Sequence, residues 1–216
     1  VVQSGRDKRE FTARNQFQCR MYPETLPKLT DLTICDTDKT VSWRLLEPVK
    51  KQGKGKQIGY IYIRSLSGTT DASVAKGIEA MGKPEGLVID ISDNGGGGGY
   101  TLDSLQSYKG KVAAIISPRC FSAGETYARD LVNGVMAKLF GQTTAGSSSE
   151  KDSLPLPRKL GEVIYSTRSR NGIKQCIEFH GIAPDEEVLF DPADLEKGVS
   201  TVIVRAQEWV AEKVGK

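Results

Sequence analysis

The spacing of apolar positions changes along the chain, and the changes mark out its elements. Ile58-Gly-Tyr-Ile-Tyr-Ile63 is β-branched and aromatic and predicts a strand. In Asp71–Met81, the residues Val74, Ile78 and Met81 recur at helical spacing, with Thr70 or Asp71 available as cap and Pro84 beyond the end. Gly86–Ile91 and Lys111–Ser117 are nearly continuous apolar runs, the pattern of strands covered on both faces of a parallel sheet. A helix is expected near Leu102–Tyr108. Another, from about Ser122 to Lys138, carries Tyr127, Leu131 and Val135 along one face. Leu139-Phe-Gly141 begins a further short strand. Glu162–Arg168 and Gln175–Phe179 predict an antiparallel pair turned at Asn171-Gly172. The chain closes on an amphipathic helix with Leu195, Val199, Val202, Ala206, Trp209 and Val210 on one side.

Residues 1–45 lack this order. Phe11–Arg14 and Leu32–Cys35 are strand-like, but Pro23 and Pro27 interrupt them. They are expected to form an N-terminal segment, the end of a preceding module plus a linker, ahead of a core over 46–216. Strands alternating with helices predict an α/β fold with a mostly parallel sheet. Ligands in such folds bind where loops leave the carboxyl ends of strands. Asp93–Tyr100 and Pro118–Ser122 are two such loops, expected side by side.

At 216 residues the chain suits one sizeable domain. Its net charge of +3 is too small to point to nucleic acid. The basic run Lys50–Lys56 is broken by Gly53 and Gly55 and is expected to be a solvated loop. No apolar stretch approaches the roughly 20 residues that span a bilayer. Cys19, Cys35, Cys120 and Cys176 lack metal-ligand spacing, and the single histidine, His180, rules out a multi-histidine metal site within the chain. No metal or organic cofactor is implied.

The glycine run Gly95–Gly99 is either a plain turn or a loop whose unobstructed N–H groups suit an oxyanion hole. It is not a phosphate-binding P-loop, since no Gly-Lys-Ser/Thr follows, and the dinucleotide fingerprint fails at its third glycine. Ser122-Ala-Gly-Glu125 also has two readings. It is a capping box, S-x-x-E, at a helix start. It also sets a serine hydroxyl at a strand-to-helix turn, with the Ala123 amide in the positive field of the helix N-terminus.

These segments resemble the tail-specific, or C-terminal-processing, serine peptidases of family S41, including their tricorn-like branch. Ile58–Ile63 resembles the family's leading strand. Leu87-Val-Ile-Asp-Ile-Ser-Asp-Asn-Gly-Gly-Gly97 resembles its "LVIDLRDNPGG" element, and Phe121-Ser-Ala-Gly-Glu125 its "SASASE" nucleophile element. Gly141–Gly146 and Glu178-Phe-His-Gly-Ile-Ala-Pro-Asp185 resemble "GxxTxGK" and "ExxGVxPD". The resemblance covers roughly residues 58–190. It implies a crotonase-like ββα superhelix, as in Clp protease, with Ser122 as nucleophile and Gly96 and Ala123 as oxyanion donors. The implied substrate is an extended or unfolded polypeptide, often cut near its C-terminus. A preceding PDZ domain and a periplasmic, secreted or membrane-associated setting also follow from the resemblance alone, and whether the chain forms an oligomer is left open.

The chain departs from the pattern at the general base. Where many members carry the dyad lysine after the "TxG" glycine, this chain has Ser147. Nearby Lys151 lies in a polar run and is expected to be a solvated surface residue. The tricorn-like branch implies instead an upstream histidine oriented through a network that includes Glu178. Glu178 is otherwise a strand-edge surface glutamate. Either a preceding segment supplies the base, as the start at Val1 rather than methionine would fit, or His180 serves, or none does. The isolated chain is therefore expected to be weakly active or inactive. The alternative is an inactive module of the same fold that binds peptides or apolar ligands. An acyl-CoA enzyme of the crotonase type fits the Ser122 and Pro184-Asp185 elements poorly.

Overall fold

A computed structural model describes residues 40–49, 57–148, 150–168 and 177–213. The strand expectations at Phe11–Arg14 and Leu32–Cys35, the loop at Lys50–Lys56 and the Asn171-Gly172 turn lie outside them.

Among the described residues, six strands form the main sheet, side by side in the order β1 (Val41–Leu45), β2 (Ile58–Ile63), β3 (Gly86–Asp90), β4 (Lys111–Ile116), β5 (Lys138–Gly141) and β8 (Glu186–Glu187). β1 runs antiparallel to β2, and every other neighbouring pair is parallel. β2 and β3 are buried at every position, as their unbroken apolar runs require of strands covered on both faces. Side chains alternate across the sheet. Ile61, Ile63, Leu87 and Ile89 meet helices α1 (Thr70–Ala80), α2 (Asp103–Ser107) and α3 (Ala123–Val135) on one face. Tyr60, Tyr62, Val88 and Ile115 meet helix α5 (Thr201–Lys213) on the other, through Val202, Ile203, Ala206 and Val210. Each such aliphatic side chain contributes about 1.5–3 kcal/mol by leaving water.

Several elements differ from expectation, each for a local reason. β1 falls within the span assigned to the N-terminal segment, yet it pairs along β2 and sets Trp43 against Gly77 of α1, where a Cβ would meet the indole at 3.0 Å. The first helix starts one residue before Asp71 and uses no side-chain cap, because Thr70 Oγ1 instead accepts from Ser67 N at 2.8 Å. The closing helix is broken in two. Gly198, at φ 68°, ends α4 (Pro192–Glu196), so Leu195 and Val199 stand outside α5. The late antiparallel pair has a different partner. β7 (Glu162–Arg168) pairs with β6 (Glu150–Pro155), and residues 178–180 form a turn rather than a strand.

Candidate active site

The two loops expected to lie together do so, and Asn94 joins them. It is fully buried. Its Nδ2 donates to Ile63 O at 2.8 Å and its Oδ1 accepts from Gly96 N at 2.8 Å. Its carbonyl accepts from Phe121 N at 3.1 Å, which ties the glycine loop to the loop that carries Ser122. The glycines are required sterically. Gly96 has φ 91°, and a Cβ there would sit 2.8 Å from Ser122 Cβ and 3.1 Å from Ala123 N. A Cβ on Gly97 would fall onto Leu66 O. Gly96, Ser122 and Ala123 are therefore packed against one another.

Ser122 has φ 56° and ψ −129°, a conformation that glycine adopts freely and serine does not. Such a backbone costs about 1–3 kcal/mol and persists only where its surroundings impose it. Here Ser122 N donates to Ser147 O and Glu125 N donates to Ser122 O, both at 3.0 Å. The Ser122 side chain makes no capping bond to α3. The Ala123 N–H opens the helix, where no intrahelical acceptor exists for it.

The capping-box reading of Ser122 fails for a second reason, because Glu125 is committed elsewhere. Its side chain is wholly buried. Oε1 accepts from Thr144 Oγ1 at 2.6 Å and from Gly146 N at 2.7 Å, and Oε2 accepts from Ser147 N at 2.8 Å. The carboxyl thus fastens the 144–147 segment, whose Ser147 carbonyl holds Ser122. Cys120 sits beside this network with its thiol buried, and burial pushes its pKa far above the thiol range. It is held as a thiol, not a nucleophile.

Glu178 stands in a turn, half-buried, not on the expected strand. The turn is tight, with Phe179 at φ 66° and Gly181 N donating to Ile177 O at 2.8 Å. It docks on the same segment, since Phe179 N donates to Gly146 O at 2.7 Å. The path from Ser122 to Glu178 therefore runs through backbone, from Ser147 O back to Gly146 O and across to Phe179 N. His180 is exposed, its Nδ1 2.9 Å from Glu178 O. Ser147, at the motif's lysine position, uses both its N–H and its carbonyl in this framework. Lys151 lies on β6. Asn94 and Thr144 were not singled out from the sequence. Their signal was present, as the polar residues beside the glycines of two matched motifs.

Residues 98–188 match the family model "Peptidase family S41". The match spans less than half of the chain, which resembles that family over these residues. Solved structures share its fold. One is a candidate peptidase from Parabacteroides merdae, with TM-score 0.60 and 19% identity, covering 84% of this chain and 68% of that one. The tricorn protease superposes with TM-score 0.57 and 22% identity, over 74% of this chain and 18% of its own length. The photosystem II D1 C-terminal processing protease gives TM-score 0.51 and 16% identity, over 81% of this chain and 53% of its own. This chain thus spans from under a fifth to about two thirds of those proteins. Comparison with curated protein sequences gave no match.

Proposed function

We propose that this S41 core cleaves extended or unfolded polypeptides, with Ser122 as nucleophile. One observation carries the reading: Ser122 is held at φ 56° and uncapped at the start of α3, with Gly96 and the Ala123 N–H packed beside it. Ser122 Oγ attacks the scissile carbonyl. The carbonyl oxygen, becoming an oxyanion, moves to the Ala123 N–H at the helix N-terminus. Gly96 N–H is the second donor. It now donates to Asn94 Oδ1 at 2.8 Å, so it joins the oxyanion hole by swinging or sharing that bond. Glu178 acts on the general base, which a segment outside the described residues supplies. An extended substrate suits a nucleophile framed by backbone carbonyls and amides, which recognise main chain rather than side chains.

The test is digestion of a reduced, carboxymethylated polypeptide by the longest available form of the protein, followed by mass spectrometry. New termini that vanish in Ser122→Ala are expected. Cleavage that persists in Ser122→Ala overturns the reading.

A second reading is a non-catalytic module that binds peptides or apolar ligands. The occupied Gly96 N–H favours it, together with the lack of any hydrogen bond to Ser122 Oγ among the described residues. Saturable peptide binding without cleavage by the longest form would select it.

A further inference from the structure

A second feature lies at the same end of the sheet, on the α5 face. Between the carboxyl ends of β2–β5 and the start of α5 is a cavity of about 280 Å³. Asp90, a residue only 6% exposed, is among the residues that line it. Tyr60 Oη donates to Oδ2 at 2.5 Å and Ser92 N donates to Oδ1 at 2.9 Å. No ion pair to Asp90 forms among the described residues. Arg119 lines the cavity but pairs with Asp93 at 2.7 Å, largely in solvent. Desolvation raises the Asp90 carboxyl above its ordinary range, against the hydrogen bonds from Tyr60 and Ser92, which lower it.

The sequence explains the vacancy. In "LVIDLRDNPGG", which Leu87–Gly97 resembles, arginine stands where this chain has Ser92. Ser92 stands in the turn that follows β3, and both it and Asp90 line the cavity. An arginine at 92 would lay its stem along the apolar wall and bring its guanidinium to the carboxyl. Serine leaves the acid without that cation and leaves the room it would fill.

We propose that the cavity binds a guanidinium group on a short apolar stem, brought by a ligand in place of the arginine absent at position 92. The planar fork of a guanidinium matches a carboxylate in two parallel hydrogen bonds. Tyr60 and Tyr62 are the aromatic residues of the lining beside Asp90. Ile115, Val202 and Ile203 offer apolar wall to the stem. On binding, the buried carboxyl is paired with a cation rather than isolated. The cavity is separate from Ser122, so the inference does not rest on the peptidase reading.

The experiment is calorimetric titration with propylguanidinium, and with propylurea as its neutral isostere. Saturable binding of propylguanidinium is expected, with propylurea weaker by about tenfold or more, since the charged pair carries the affinity. Asp90→Asn, which keeps the shape and an acceptor for Tyr60, should lose the preference for the cation. Ser92→Arg should fill the cavity from within and abolish binding, with a raised melting temperature showing that it folds. Ser122→Ala should bind as the parent does, whatever the outcome of the cleavage assay. An acetylated, amidated arginine tells the sources apart: its binding assigns the site to a polypeptide side chain, and its exclusion while propylguanidinium binds assigns a free small cation. No saturation by propylguanidinium, equal binding of propylurea, or unchanged binding by Ser92→Arg overturns the proposal.

Discussion

Among the described residues, two carboxyl groups are buried at this end of the sheet, one on each side, and they are treated differently. Glu125, on the α3 side, accepts three hydrogen bonds from Thr144, Gly146 and Ser147. It fixes the segment that holds Ser122. Asp90, on the α5 side, accepts two and borders a cavity. A buried acid that accepts three hydrogen bonds from one segment is a structural fastener. A buried acid with room beside it and no cation is a place where a ligand can gain binding energy.

The contrast can be broken at four points. Glu125→Ala should have the largest effect, since it orphans three donors and opens a cavity. A loss of about 3–5 kcal/mol is expected from the urea midpoint. A loss below about 1 kcal/mol would mean that Glu125 fastens nothing. Glu125→Gln should fall between, because its NH2 group must face donors. Gly96→Ala comes next. Its methyl group would collide with Ser122 and strain a backbone at φ 91°, costing about 1–3 kcal/mol in the same assay.

Asp90→Asn is predicted to act in the opposite direction from Glu125→Gln. The native Asp90 pKa is raised, so the unfolded chain releases this proton first as pH rises. The stability Asp90 contributes is intact below the unfolded value, about 3.9, and falls as pH climbs from there through the raised native value. Asp90→Asn should remove that fall. At neutral pH it should be neutral or stabilising by about 1 kcal/mol, read from thermal melts across pH. A wild-type protein whose stability does not fall over this window, or a variant that still shows the fall, would contradict the assignment. The smallest effect is at Ser122 itself. Ser122→Gly should relieve the φ 56° backbone and raise stability by about 0.5–1 kcal/mol while removing the hydroxyl.

Much of the fold was legible because burial on two faces leaves a simple mark. The apolar runs at Gly86–Ile91 and Lys111–Ser117 announced parallel strands, and the strand-to-helix turns after them located the site. Local pattern failed where a distant partner decided the outcome. Val41–Leu45 is a strand because β2 offers it an edge, and the helix after Asp191 breaks because Gly198 turns left-handed. Glu162–Arg168 alternates as a strand should, but alternation does not name its partner. The site divided in the same way. Gly96, Ser122 and Ala123 were set by short-range motifs and meet in space. The neighbourhood of Glu178 was misjudged, because a turn docked on Gly146 rather than a strand carries it. Glu125 was seen as half of a capping box, and only the folded chain shows Thr144, Gly146 and Ser147 converging on it.

The central claim is that Ser122 is a nucleophile held ready by its backbone, and covalent labelling tests it most directly. The protein is incubated with a fluorophosphonate, digested and mapped by mass spectrometry. A stable phosphonate adduct on Ser122 is predicted, absent in Ser122→Ala and reduced in Gly96→Ala. No adduct on Ser122, or one on a different residue that survives Ser122→Ala, would contradict it.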